Sequence, residues 1–155
     1  MRLIRSKGFT LLELVVVLAI ASLMIAVVPP LLSGLVGSAE LRGTARQLAA
    51  GLRAARNEAV TRQHEAALVL NLEQRYFQVT GDARQVKLPD TVTIKLHTAE
   101  SELLDDATGR IRFFPDGSST GGHIALAGKR FGYTVNVDWL TGRIAIIEGY
   151  APDDV

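Results

Sequence analysis

The chain falls into three stretches of different hydrophobic period. From residue 9 to residue 28 every phase is apolar, with a single charge at Glu13. A helix of that length is about 30 Å long, the hydrocarbon thickness of a bilayer. Pro29 and Pro30 follow. Each lacks an N–H, and its ring presses on a carbonyl one turn back, so the pair ends or kinks the helix. Gly34 and Gly37 make residues 28–37 its weakest part. From residue 38 the pattern is amphipathic: Leu41, Ala45, Leu48, Leu52, Ala55 and Ala59 recur at steps of four and three. Arg42, Arg46, Arg53, Arg56 and Arg62 lie off that stripe and read as a solvated face, with a contact face for neighbouring subunits as the alternative.

After His64 the period becomes two. Residues 66–72 and 76–80 read as a hairpin around Glu73-Gln74-Arg75. Residues 91–98 alternate Val92, Ile94 and Leu96 with Thr91, Thr93 and Lys95. Residues 111–114, 123–126, 133–137 and 143–148 are further strands. Between them Pro115-Asp116-Gly117, Ala127-Gly128-Lys129 and Leu140-Thr141-Gly142 signal turns. Residues 103–108, with Asp105 and Asp106, read as a loop. The expected class is α+β: a long N-terminal helix packed on a small antiparallel β-sheet domain. The expected divisions are a leader at 1–8, a transmembrane helix at 9–30, its amphipathic continuation at 31–65 and the β-domain at 66–155.

The apolar run is preceded by Arg2, Arg5 and Lys7 with no acid among them. A basic leader before a span predicts a cytoplasmic leader and an external remainder. A secretory signal peptide with Ala19-Ile20-Ala21 as its cleavage site fits less well. Those alanines lie inside the apolar run, and Glu13 would interrupt its core. A carboxylate near the bilayer centre costs about 2.5–3.5 kcal/mol, which marks Glu13 as a functional candidate.

Lys7-Gly8-Phe9-Thr10-Leu11-Leu12-Glu13-Leu14 resembles the processing site of type IV prepilins and type II secretion pseudopilins. The resemblance implies cleavage between Gly8 and Phe9 by a prepilin peptidase, which then N-methylates Phe9. It also implies docking of Glu13 against a neighbouring subunit in the membrane, and a helix hinge at Pro29 and Pro30. A Phe9 amine on an adjacent subunit shifted along the filament can come level with Glu13. Opposite charges about 4 Å apart attract by about 4 kcal/mol at an effective dielectric of 20, enough to offset the insertion cost.

Two further segments resemble the minor pseudopilin H group of type II secretion (GspH). One is Leu52-Arg53-Ala54-Ala55-Arg56-Asn57-Glu58-Ala59-Val60. The other is Phe114-Pro115-Asp116-Gly117-Ser118-Ser119-Thr120-Gly121-Gly122, followed by a strand and Asp138-Trp139-Leu140-Thr141-Gly142-Arg143. The family implies a pilin-like fold and a minor pseudopilin at or near the tip of a periplasmic pseudopilus. Its partners would be other minor pseudopilins, the major pseudopilin, the peptidase and N-methyltransferase, the inner-membrane assembly platform and the lipid bilayer. Its place would be the bacterial inner membrane, single-pass, with the C-terminal domain in the periplasm. The alternative is a minor type IV pilin in pilus assembly, adhesion or DNA uptake.

Composition narrows the chemistry. Removing the three leader bases from 17 leaves 14 basic against 16 acidic residues, a formal charge of −2. That balance, and the acidic end at Asp153 and Asp154, gives no case for nucleic acid as a partner. Cysteine is absent, which excludes thiol nucleophiles and thiolate metal sites. His64, His97 and His123 have no ligand spacing, so no metal is expected. Ser118, His123 and Asp138 compose a triad only on paper, since no nucleophile-elbow pattern accompanies them. Residues 117–122 lack the lysine of a phosphate-binding loop. No enzyme and no cofactor are expected.

Overall fold

The computed structural model describes residues 10–128 and 131–150, with side chains described except at 25–37 and 150. Among the described residues one helix, α1 (Leu11–Arg62), opens the order, and eight strands follow: β1 (Ala66–Asn71), β2 (Tyr76–Val79), β3 (Gln85–Lys87), β4 (Thr93–His97), β5 (Thr108–Phe113), β6 (Gly122–Ala127), β7 (Phe131–Val137) and β8 (Ile144–Tyr150). A 3-10 turn, Glu100–Glu102, precedes β5. The chain divides into two compact units, Met1–Val36 and Gly37–Val155.

In the first unit the described apolar side chains of residues 11–24 are all exposed, on every side of the helix. Leu11 is 81% exposed and Leu23 68%. A helix apolar all round has no polar face to give to water and needs lipid or other helices around it. Among the described residues no helix is long and apolar enough to cross a membrane. The expected span at 9–30 reaches beyond the described side chains at both ends. Helical backbone continues through Pro29 and Pro30, the expected hinge, whose side chains also lie outside the description.

The second unit is built on the stripe. Leu41, Ala45, Leu48, Leu52, Ala55 and Ala59 are all buried. They share one core with Leu68, Leu70, Phe77, Ile111 and Phe113, and with Ile124, Leu126, Val135 and Val137. Burying a leucine side chain is worth about 1.5–3 kcal/mol, so the stripe fastens this part of α1 to the strands. Gly51 brings the helix backbone close to the strands. A Cβ there would lie 2.6 Å from Phe77 Cε2 and 2.9 Å from Leu68 Cδ1. The helix ends at Gln63, which turns left-handed at φ 54° while its amide donates to the Val60 carbonyl at 2.8 Å.

The strands form two antiparallel sheets, β3-β2-β1-β5 and β4-β6-β7-β8. The expected β1–β2 hairpin is present, with Asn71 opposite Tyr76 and Asn71 Oδ1 accepting from the Gln74 amide. Three elements differ from expectation. β3 has only three residues, too few to display a period. β5 starts at Thr108, where residues 103–108 read as a loop, because Thr108 pairs with Asn71 backbone to backbone and through Asn71 Nδ2 to Thr108 Oγ1 at 2.9 Å. The turn at Glu100–Glu102 also gave no sequence signal.

Candidate functional site

Gly8 and Phe9, the expected cleavage and methylation sites, lie outside the described residues. Glu13 sits in the first turn of α1, exposed. Its backbone N–H donates to Thr10 Oγ1 at 3.2 Å, while Leu14 N–H donates to the Thr10 carbonyl at 3.1 Å. Thr10 is thus the N-cap, and Thr10-x-x-Glu13 has the spacing of a capping box. A helix N-terminus among lipid or helices has few other acceptors for its orphan N–H groups. This role of Thr10 was legible from spacing alone, and the reading of Glu13 as a charge obscured it.

The segments at 52–60, 114–122 and 138–143, which resemble the H group, meet at one point. Arg56 was expected on a solvated face, but it is half-buried. Its Nε donates to the Gly117 carbonyl at 3.1 Å, and a terminal nitrogen donates to the Thr141 carbonyl at 3.1 Å. The correction has a simple cause: Arg56 lies four residues after Leu52 and three before Ala59, so it flanks the buried stripe. One guanidinium thus ties α1 to the 115–122 loop and the 138–142 turn.

Each of the two loops is also closed by its own hydrogen bonds. In the first, Asp116 Oδ1 accepts from the Ser118 amide at 2.9 Å and from its hydroxyl at 2.6 Å. In the second, Asp138 Oδ1 accepts from the Thr141 hydroxyl at 2.7 Å and from its amide at 2.8 Å. The serine and threonine hydroxyls, then the same residues' amides, hold both carboxyl groups below the usual carboxylate range. Ser119 N–H bridges to the Trp139 carbonyl at 2.8 Å. Gly142, at φ +60°, has no room for a Cβ, which would strike the Gly117 carbonyl. The outcome is a firmly held turn that presents Trp139 and Leu140 to solvent, 65% and 63% exposed. Rigid exposed aromatics are the side chains that most often anchor protein contacts.

His97 and His123, scattered in sequence, come together across β4 and β6. Their rings stack with centroids 4.4 Å apart and planes 17° from parallel. Burial first, and the neighbouring His97 second, hold His123 below its ordinary value. Among the described residues no group of three or more histidine, aspartate or glutamate side chains is placed to hold a metal. The paper triad is not assembled: Ser118 bonds Asp116, Asp138 bonds Thr141 and His123 stacks on His97.

Glu102 had no sequence signal. It is 3% exposed, and its carboxylate accepts from Arg110 Nε at 2.7 Å and from an Arg112 terminal nitrogen at 2.8 Å. Arg112 also donates to Glu65 at 2.7 Å. Two arginines offset the desolvation of one buried carboxylate and hold the 99–107 segment against β5.

Comparison with known proteins adds identity to this geometry. The family described as Type II transport protein GspH matches residues 44–141, which hold Arg56 and both its acceptors, Gly117 and Thr141. The prokaryotic N-terminal methylation motif matches residues 3–29. Type II secretion system protein H of Xanthomonas campestris pv. campestris is 30% identical over 138 residues, covering 89% of this chain and 81% of that protein. Among solved structures, the type IV minor pilin FimU of Pseudomonas aeruginosa superposes with a TM-score of 0.55 at 18% identity, over 71% of this chain and 90% of FimU. The minor pseudopilin EpsH from the Type 2 Secretion System of Vibrio cholerae superposes at 0.54 with 14% identity, over 74% of this chain and 99% of EpsH. The two scores are nearly equal, so they establish a pilin-like α+β fold and do not choose between pilus and secretion system; the sequence matches do. The chain therefore belongs to the GspH family of type II transport proteins, the minor pseudopilins of type II secretion.

Proposed function

We propose that the chain is a membrane-anchored subunit at or near the tip of the periplasmic pseudopilus, where it supports protein export by packing and not by catalysis. The observation that carries this reading is α1 itself. Residues 11–24 expose apolar side chains on every side, whereas residues 41–59 of the same helix bury a stripe in the domain core. The first kind of surface suits lipid and the N-terminal helices of other pseudopilins. The second carries the β-domain. In this reading the leader is removed after Gly8, Phe9 is N-methylated by the same peptidase, and the anchor crosses the inner membrane once at 9–30. Pro29 and Pro30 let the helix adjust as it leaves lipid for filament, and Glu13 meets the Phe9 amine of an adjacent subunit. The major and other minor pseudopilins and the assembly platform are its partners.

Mass spectrometry of the protein extracted from membranes tests the processing. The expected mature N-terminus is a methylated Phe9, and Gly8→Val is expected to leave the full-length precursor. An intact Met1 in the wild type, or an N-terminus after Ala21, would overturn the reading. Deleting the gene is expected to stop export of secreted proteins. Loss of pili with export intact would favour the minor type IV pilin instead.

A further inference from the structure

Sheet edges carry unpaired N–H and C=O groups, and natural proteins keep them short, charged or covered. In this domain three of the four edges follow that rule. β3 has three residues and includes Lys87. β4 has Lys95 at its centre. β5 is met along its outer side by the Leu103–Gly109 and Phe113–Ser119 bridges and by the Thr98 hydroxyl on the Arg110 carbonyl at 2.9 Å.

β8 departs from it. It is seven residues long and begins Ile144-Ala145-Ile146-Ile147, with no lysine or proline. It pairs with β7 on one side, and among the described residues no backbone hydrogen bond reaches its other side. Ile147 is 54% exposed. The single charge of the strand, Glu148, is engaged by the Tyr133 hydroxyl at 3.1 Å.

Beside this edge lies a groove lined by Arg42, Arg46, Tyr133, Ile146 and Glu148. Arg42 and Arg46 are one turn apart on α1, both exposed, and neither makes an ion pair among the described residues. With one carboxylate against two guanidinium groups, the groove keeps an excess positive charge. A strand added to β8 would point alternate side chains toward α1 and into that charge.

We propose that β8 is an assembly edge: an extended segment of a neighbouring pseudopilin pairs with residues 144–150 and sets an acidic side chain against Arg42 and Arg46. The backbone pairing supplies the attachment, and the two arginines select a partner strand with an acid on its inner face. The inference rests on the filament-subunit reading above.

Hydrogen–deuterium exchange read by mass spectrometry tests it. The full chain in detergent micelles is compared alone and with the purified major and other minor pseudopilins of its own system. Amides of 144–150 are expected to exchange at least about tenfold more slowly in the mixture. Ile147→Lys, which places a charge on the exposed edge, is expected to abolish that protection. Arg46→Glu is expected to weaken it about tenfold, and Arg46→Lys to retain it. Thermal melting checks that each variant keeps its fold, and wild-type exchange alone decides the matter if one does not. A complex that forms with 144–150 unprotected would overturn the inference and leave the filament reading standing. Protection that grows with the concentration of the chain alone would assign the edge to self-association and also overturn it. Absence of any complex with the other pseudopilins would overturn both.

Discussion

Arg56 ties α1 to two distant turns. Its two acceptors, Gly117 and Thr141, lie 61 and 85 positions away in sequence, so one side chain closes two long loops. Hydrogen bonds to charged groups contribute about 1.5–3 kcal/mol each at best, and solvent reaches part of this guanidinium. Arg56→Ala is expected to destabilise the protein by about 1–3 kcal/mol in urea unfolding. Arg56→Lys is expected to recover only part, since an ammonium does not reproduce the planar fork. Gly142→Ala should resemble Arg56→Ala in its effect, because its Cβ would strike the carbonyl that Arg56 binds. Asp138 beside it has a pH signature. Its carboxyl loses its proton more readily folded than unfolded, so the folded chain binds fewer protons and stability rises with pH across that interval. The melting-temperature gap between wild type and Asp138→Ala is expected to be full at pH 7. It should shrink as pH falls below about 4 and through the folded value of Asp138.

At the scale of elements, α1 shows how packing overrides propensity. Glycine in a helix interior costs about 1 kcal/mol relative to alanine, yet Gly51 sits at the centre of the buried stripe. The Phe77 ring occupies the space that a methyl group would need. Gly51→Ala is therefore expected to leave stability unchanged or lower it, with the helical gain offset by about 1–3 kcal/mol of overpacking. Leu48→Ala, on the same stripe and fully buried, is expected to cost about 2–5 kcal/mol by removing contacts and leaving a cavity. Denaturant unfolding of both variants checks the pair. A larger loss for Gly51→Ala than for Leu48→Ala would mean that the core around Phe77 is stiffer than its packing implies.

At the scale of the whole molecule, Glu13 tests how the chain enters a filament. Its backbone is already served by Thr10, so removing the carboxylate leaves the helix start in place. Glu13→Val is expected to be inserted and cleaved normally but to crosslink poorly with partner subunits in cells. Normal incorporation would show that the carboxylate has no docking role.

Much of this was legible in the residues because the causes are local. The apolar run, the stripe from Leu41 to Ala59 and the β1–β2 hairpin follow from periodicity and turn chemistry within a few positions. The N-terminal methylation motif and the α+β class were readable in the same way, from short stretches of neighbouring residues. What only the tertiary structure decided is of another kind. β3 exists because β2 offers it a partner, Glu102 is buried because Arg110 and Arg112 offset its charge, and β8 is an edge strand of the described sheet because of strand order. Arg56 belongs there too: spacing could place it beside the stripe, but its acceptors are carbonyl groups of distant turns, and a carbonyl carries no mark of its partner in sequence.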